Sequence, residues 1–169
     1  MGAARILFGL LVPVFLVAHG ALAGDLPAPT GAPILSISGK IAITNTGDKA
    51  EFDLAMLEAM RQATVITHAP WYDGTLRFDG VPLAELMERV GATGTTVTAV
   101  ALNDYVVDIP IEDFGRFGVV LALKQDGAYM PVRGKGPLFI IYPFDSDPRL
   151  QAEIFYRRAA WQVRRLVVR

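Results

Sequence analysis

Two uninterrupted apolar runs most constrain what this chain can fold into: Val119-Val120-Leu121-Ala122-Leu123 and Leu138-Phe139-Ile140-Ile141-Tyr142. A strand with one face in water alternates apolar and polar residues, so a run with no polar member needs cover on both faces. Both runs are therefore expected as central strands of a sheet.

Around them the chain changes period often. Residues 34–38 alternate and read as a strand, followed after Gly39 by a second strand over 40–44 and a turn over 45–48. Asp53 has the chemistry of an N-cap for a short helix, with Leu54, Leu57 and Met60 or Arg61 at helical spacing. Residues 64–67 are β-branched and extended, 69–74 form a loop, and 75–78 form a strand that ends in a turn at Asp79-Gly80. A helix over 83–90 starts after Pro82 and stops at Gly91. Segments 97–102 and 106–109 flank the corner Asn103-Asp104-Tyr105 as a hairpin-like pair, and 111–114 make one helical turn. A helix over 150–158 and a strand over 162–168 close the chain. Short strands interrupted by a few short helices imply an α+β domain with a mixed sheet.

The first residues have the pattern of an export signal rather than of fold. Arg5 precedes an apolar stretch over 6–18, and Ala21-Leu22-Ala23 offers an A-x-A cleavage site. The expected division is a signal peptide over 1–23, an extended lead-in rich in Pro, Ala and Gly over 24–33, and one domain over 34–169. Such a protein is periplasmic or secreted, and the apolar stretch is too short for a stable membrane span. The single arginine gives no twin-arginine motif, so the general export route is expected.

The leader takes one arginine and no acid with it. Fifteen cations then face seventeen acids, a net charge of −2 that gives no reason to expect nucleic acid as a partner. The chain has no cysteine, so in an oxidising compartment the fold stands on packing alone. His68 is the one histidine beyond the leader, which excludes zinc sites built from His and Cys.

From Trp71 onward several motifs run in the order found in one family. Phe78-Asp79-Gly80-Val81-Pro82-Leu83, then a helix, is followed by Asn103-Asp104-Tyr105 and by Asp126-Gly127-Ala128-Tyr129-Met130. Gly136-Pro137-Leu138, Pro143, and Trp161 with Val163 and Leu166-Val167-Val168 complete the series. Jointly these resemble the molybdopterin-binding domain of the sulfite oxidase family, and the resemblance implies that family's mixed-sheet α+β fold. It also implies a metal-ligating Cys shortly before Trp71, a place where this chain has Thr67 or His68. A thiolate is a soft ligand suited to a high-valent oxo metal, and neither a hydroxyl nor a carboxylate is an equivalent substitute. After Gly-x-Pro-Leu the family carries an arginine that helps hold an anionic cofactor or substrate; here the residue is Phe139.

Within that resemblance the candidate cleft residues are Thr67, His68, Trp71, Tyr72, Asp104, Tyr105, Arg133 and Lys135. His68 stands near the family's ligand position and carries a group that can bind metal or titrate near neutrality; an inert loop histidine is the alternative. Arg133-Gly134-Lys135-Gly136 could converge charged heads and backbone N–H groups on one anion, or form a solvated basic turn. Trp71, Tyr72, Asp73 and Gly74, with Asp104, Tyr105 and Tyr142, could rim a cleft for a small organic ligand or a peptide, or be core aromatics. No Gly-x-Ser-x-Gly elbow is present, and Asp145-Ser146-Asp147 lacks the glycine and the closing Glu of a calcium loop.

The expectation is an exported, metal-free module that takes a small anionic or organic ligand, or docks a periplasmic partner protein. No cofactor is expected from the residues, although the resemblance keeps molybdopterin open. The alternative is a molybdenum-cofactor oxidoreductase whose metal is held without cysteine.

Overall fold

The computed structural model describes residues 26–169, and the expected leader over 1–23 lies outside them. The strands among the described residues are β1 (Leu35–Gly39), β2 (Ala50–Phe52), β3 (Ala63–His68), β4 (Thr75–Pro82), β5 (Thr96–Ala101), β6 (Val106–Pro110), β7 (Val120–Gln125), β8 (Ala128–Tyr129), β9 (Phe139–Ile141) and β10 (Val163–Val168). Four short helices accompany them: α1 (Leu54–Ala59), α2 (Leu83–Arg89), α3 (Glu112–Phe117) and α4 (Glu153–Arg158). Single 3-10 turns lie at Val132–Gly134 and Pro148–Gln151.

The strands make two sheets. The first has the order β2-β1-β10-β5-β6 and is mixed, because β10 runs parallel to β1 and antiparallel to β5. The second has the order β3-β4-β7-β8, with β9 also on β7, and is antiparallel. This is an α+β fold, as the alternation of short strands and helices implies.

β7 is the centre of the second sheet, and Val120 to Leu123 are all buried, which explains the apolar run. β9 is equally buried but pairs with β7 alone. Its outer edge is covered by the segment between α4 and β10. The Ile140 N–H donates to the Ala160 carbonyl at 2.9 Å, and the Val163 N–H to the Leu138 carbonyl at 3.0 Å. The same segment then enters the first sheet as β10, so one stretch of chain ties the two sheets together.

The Asp53 cap forms as expected, its Oδ1 accepting from the Met56 N–H at 2.8 Å. Oδ2 accepts from the N–H groups of Gly31 at 2.8 Å and Thr30 at 2.9 Å. These bonds, the one from Gly31 foremost, hold the Asp53 carboxyl below the usual carboxylate range. Leu26 is buried as well, so residues 26–33 run without helix or strand against the first sheet's edge.

Three local expectations are corrected. Residues 40–44 are not a strand: they cross the end of α2, where the N–H groups of Ala42 and Ile43 each donate to the Val90 carbonyl at 3.0 Å. A helix end presents carbonyls without partners in its own ladder, and this segment supplies donors for one of them. Asp79-Gly80 is not a turn, because β4 runs through it with a shift of register against β7. Gly80 is needed for close approach, since a Cβ there would stand 2.1 Å from the Leu121 carbonyl oxygen. Third, the helix expected over 150–158 is broken, because Ala152 is extended between the 3-10 turn at Pro148–Gln151 and α4. β2, three residues long, is too short to give a periodic signal.

Besides the Asp53 cap, Asp113 is a buried carboxylate. Asp113 accepts from the Tyr142 hydroxyl and from Arg158 Nη1, both at 2.9 Å. No helix among the described residues is long and apolar enough to cross a membrane.

Candidate functional site

Four aromatic side chains from four segments of the chain meet at one surface cleft. Trp71 comes from the loop after β3, Tyr105 from the corner between β5 and β6, Tyr156 from α4, and Trp161 from the segment entering β10. With Asn103 and Arg157 they line a cavity of about 210 Å³. Two small buried residues, Ala159 and Ala160, also line it and leave its space unfilled.

The cleft wall is a set of ring contacts. Trp71 meets Trp161 edge-on at 5.3 Å between centroids and Tyr156 at 6.3 Å. Behind them Phe139 contacts Trp71 at 5.8 Å and Trp161 at 6.2 Å. Such tilted and edge-on pairs are the arrangements aromatic quadrupoles prefer, so the wall is rigid without a ligand. Tyr105 is placed by its hydroxyl, which donates to the Arg157 carbonyl at 2.9 Å, and by its backbone N–H, which donates to Asn103 Oδ1 at 3.2 Å.

Lys135 belongs to this wall. Its ammonium lies 4.8 Å from the Trp161 ring centroid and 5.3 Å from that of Tyr72. The close packing of Gly136 against the Met130 carbonyl, 1.8 Å from where a Cβ would stand, fixes the turn that carries it. The Tyr72 hydroxyl is buried and has no hydrogen-bond partner among the described residues. Burial pushes its pKa up.

His68 lines a neighbouring hollow of about 320 Å³ with Phe144, Asp145 and Tyr156, and Thr67 lies buried beside it in the chain. Thr67 is fully buried; its hydroxyl donates to the His68 carbonyl and accepts from the Asp145 N–H, each at 3.1 Å. Asp145 Oδ2 lies 2.8 Å from His68 Nδ1, and an ionised carboxylate only accepts, so Nδ1 carries the proton. Thr75 Oγ1 is 3.0 Å from Nε2, which gives an Asp-His-Thr series the outline of a nucleophilic triad. That reading fails on geometry. The same hydroxyl is 3.4 Å from Nδ1, so it rests against the ring and not along the in-plane lone pair of Nε2.

The sequence candidates thus divide. Trp71 and Tyr105 converge on the cleft, with Lys135 and Tyr72 stacked behind it, while Thr67 and His68 tie β3 to the turn at Asp145. Asp104 pairs with Arg164 Nη2 at 2.9 Å. Arg133 is exposed and has no ion-pair partner among the described residues. At 133–136, read from the sequence as either an anion site or a solvated basic turn, the N–H groups of Gly134 and Gly136 both donate to the Pro131 carbonyl, at 2.8 and 2.9 Å. Tyr142 is not on the rim but in the core, where burial and the Asp113 carboxylate push its hydroxyl far above the usual range.

Sequence reasoning missed Tyr156, Arg157, Trp161 and Asp145 as site residues. The run Phe155-Tyr156-Arg157-Arg158 was the available signal, aromatic and cationic side by side before a lone tryptophan.

The residues do not fit a thiolate-anchored molybdenum. The Thr67 hydroxyl is used both as donor and as acceptor, and His68 is held by Asp145. Phe139 is fully buried among Trp71, Phe78 and Trp161, so it fills with hydrocarbon the place where the resemblance implies an arginine. Among the described residues no three His, Cys, Asp or Glu side chains gather as a metal site.

No family model and no curated protein matches the chain. Among solved structures it is similar to the sulfane dehydrogenase SoxCD from Paracoccus pantotrophus, with a TM-score of 0.59 and 19% sequence identity. The match covers 79% of this chain and 37% of that one, so this chain spans little more than a third of that protein's length. The likeness is one of fold.

Proposed function

We propose that this protein is an exported, metal-free binding module on a sulfite-oxidase-like fold, working through the cleft of Trp71, Tyr105, Tyr156 and Trp161. The observation that carries the reading is the pairing of an open aromatic cleft with the loss of both groups the resembled fold would use for its cofactor. Thr67 or His68 stands at the first of those positions and Phe139 at the second, and each is engaged in packing or hydrogen bonds of its own. The leader pattern over 1–23 supports export. Ligand pockets are largely preformed and mainly apolar with a few placed polar groups, and the cleft, with Asn103 and Arg157 at its margin, has that character.

The test is elemental analysis for molybdenum and tungsten on protein purified from its native source, with pterin fluorescence after acid oxidation. The expected result is neither metal nor pterin. Near-stoichiometric amounts of both would overturn the proposal and make the protein an oxidoreductase with a metal ligand other than cysteine.

A further inference from the structure

The cleft carries a charge preference as well as a shape. Residues 133–169 hold eight Lys and Arg against three Asp and Glu, an excess of five positive charges in a chain that is acidic elsewhere. That stretch contributes Tyr156, Arg157 and Trp161 to the cleft and Lys135 to the layer behind it. No carboxylate lines the cavity, and the nearest acid in sequence, Asp104, is neutralised by Arg164 at 2.9 Å.

Aromatic walls alone would suit a cation, whose charge is attracted to ring faces. Here that role is already filled by the Lys135 ammonium, set over Trp161 and Tyr72. A second cation would meet Lys135 and Arg157, and the acid paired with Arg157, Glu153, does not line the cavity. That ion pair is loose: Arg157 Nε stands 3.8 Å from Glu153 Oε1, beyond a hydrogen bond, and the Arg157 side chain is 65% exposed. A guanidinium so placed offers a planar fork to a carboxylate.

Size narrows the ligand further. A cavity of about 210 Å³ holds roughly seven waters at about 30 Å³ each, below the roughly 300–1,000 Å³ of pockets for drug-sized molecules. One ring and a short acidic arm fill it. We infer that the cleft binds a small aromatic carboxylate, its ring among Trp71, Tyr105, Tyr156 and Trp161 and its carboxylate on Arg157. This rests on the binding-module reading above and names the ligand class of the same site.

Isothermal titration of the full chain with phenylacetate tests it, against benzyl alcohol, benzylammonium and cyclohexylacetate. Phenylacetate is expected to bind at least about tenfold more tightly than the alcohol or the ammonium, the effect of one charge-assisted hydrogen bond. Arg157→Gln, at an exposed position, should cost about tenfold for phenylacetate and leave benzyl alcohol unchanged. Trp161→Leu should weaken phenylacetate more than cyclohexylacetate, with circular dichroism confirming the fold of both variants. Absence of heat with phenylacetate at millimolar concentration, equal binding of the alcohol, or tighter binding of the ammonium would each overturn the inference. Metal and pterin in the purified protein would instead sink the binding-module reading, so the two failures are separable.

Discussion

Asp145 holds His68 at two atoms, its Oδ2 accepting from the backbone N–H at 2.7 Å and standing 2.8 Å from Nδ1. The contact joins the end of β3 to the turn after β9 across 77 residues of chain. The backbone N–H of His68, then its imidazole, hold the Asp145 carboxyl below the usual carboxylate range against the opposing effect of burial.

Because the folded value lies below the unfolded one, near 3.9, this carboxylate stabilises the fold fully above that pH. The contribution is lost as pH falls through the folded value. Melting temperature followed downward from about pH 5 should drop less steeply in Asp145→Asn than in the wild type, with the two curves converging at the acid end. Asp147, pulled to about 2 by Arg149, adds an acid-side slope of its own, but it does so equally in both proteins and cancels in the comparison. Parallel curves would refute the assignment.

Thr67→Val keeps the shape of a fully buried side chain but removes the acceptor of the Asp145 N–H. The expected loss is about 1–3 kcal/mol in urea unfolding, the cost of stranding a buried donor. Thr67→Ser should retain most of the stability, and a neutral Thr67→Val would show that the hydroxyl is not holding the turn.

Arg158→Met leaves the Asp113 carboxylate buried with Tyr142 as its remaining partner. Breaking one side of a buried pair costs about 3–5 kcal/mol, and the surviving tyrosine bond puts the expectation near the lower end. Asp113→Asn combined with Arg158→Met should recover part of the loss, because no charge is then left uncompensated. A double variant less stable than Arg158→Met alone would contradict this account.

Gly80→Ala drives a methyl group into the Leu121 carbonyl and the Ala122 backbone, neither of which can turn aside. Overpacking of this kind costs about 1–3 kcal/mol or more. Denaturant midpoints compared with Gly127→Ala, where a Cβ meets nothing within 4 Å, separate the steric effect from backbone strain.

What was legible in the sequence was local. The Asp53 cap, the Pro82 and Gly91 limits of α2, and the buried run of β7 follow from residues within a turn or two of each other. Pairing partners were not, since nothing near Ile37 announces that Leu166 lies opposite it. The cleft was half legible for the same reason. Trp71 and Tyr105 drew notice as aromatics in loops, whereas Tyr156 looked like an ordinary helical residue until α4 was packed. Tyr142 shows the opposite error: a polar hydroxyl suggested a rim, but Asp113 supplies a buried acceptor that only tertiary structure provides.

The strand order of the first sheet governs when this protein can become itself. β10 lies between β1 and β5 and follows both of them in the chain. Without residues 163–168, β1–β2 and β5–β6 are two separate ribbons. Non-local pairing of this kind delays productive folding until the strand that joins them is available. Trp161 enters with that strand, so the aromatic cleft is completed by the same step that closes the sheet.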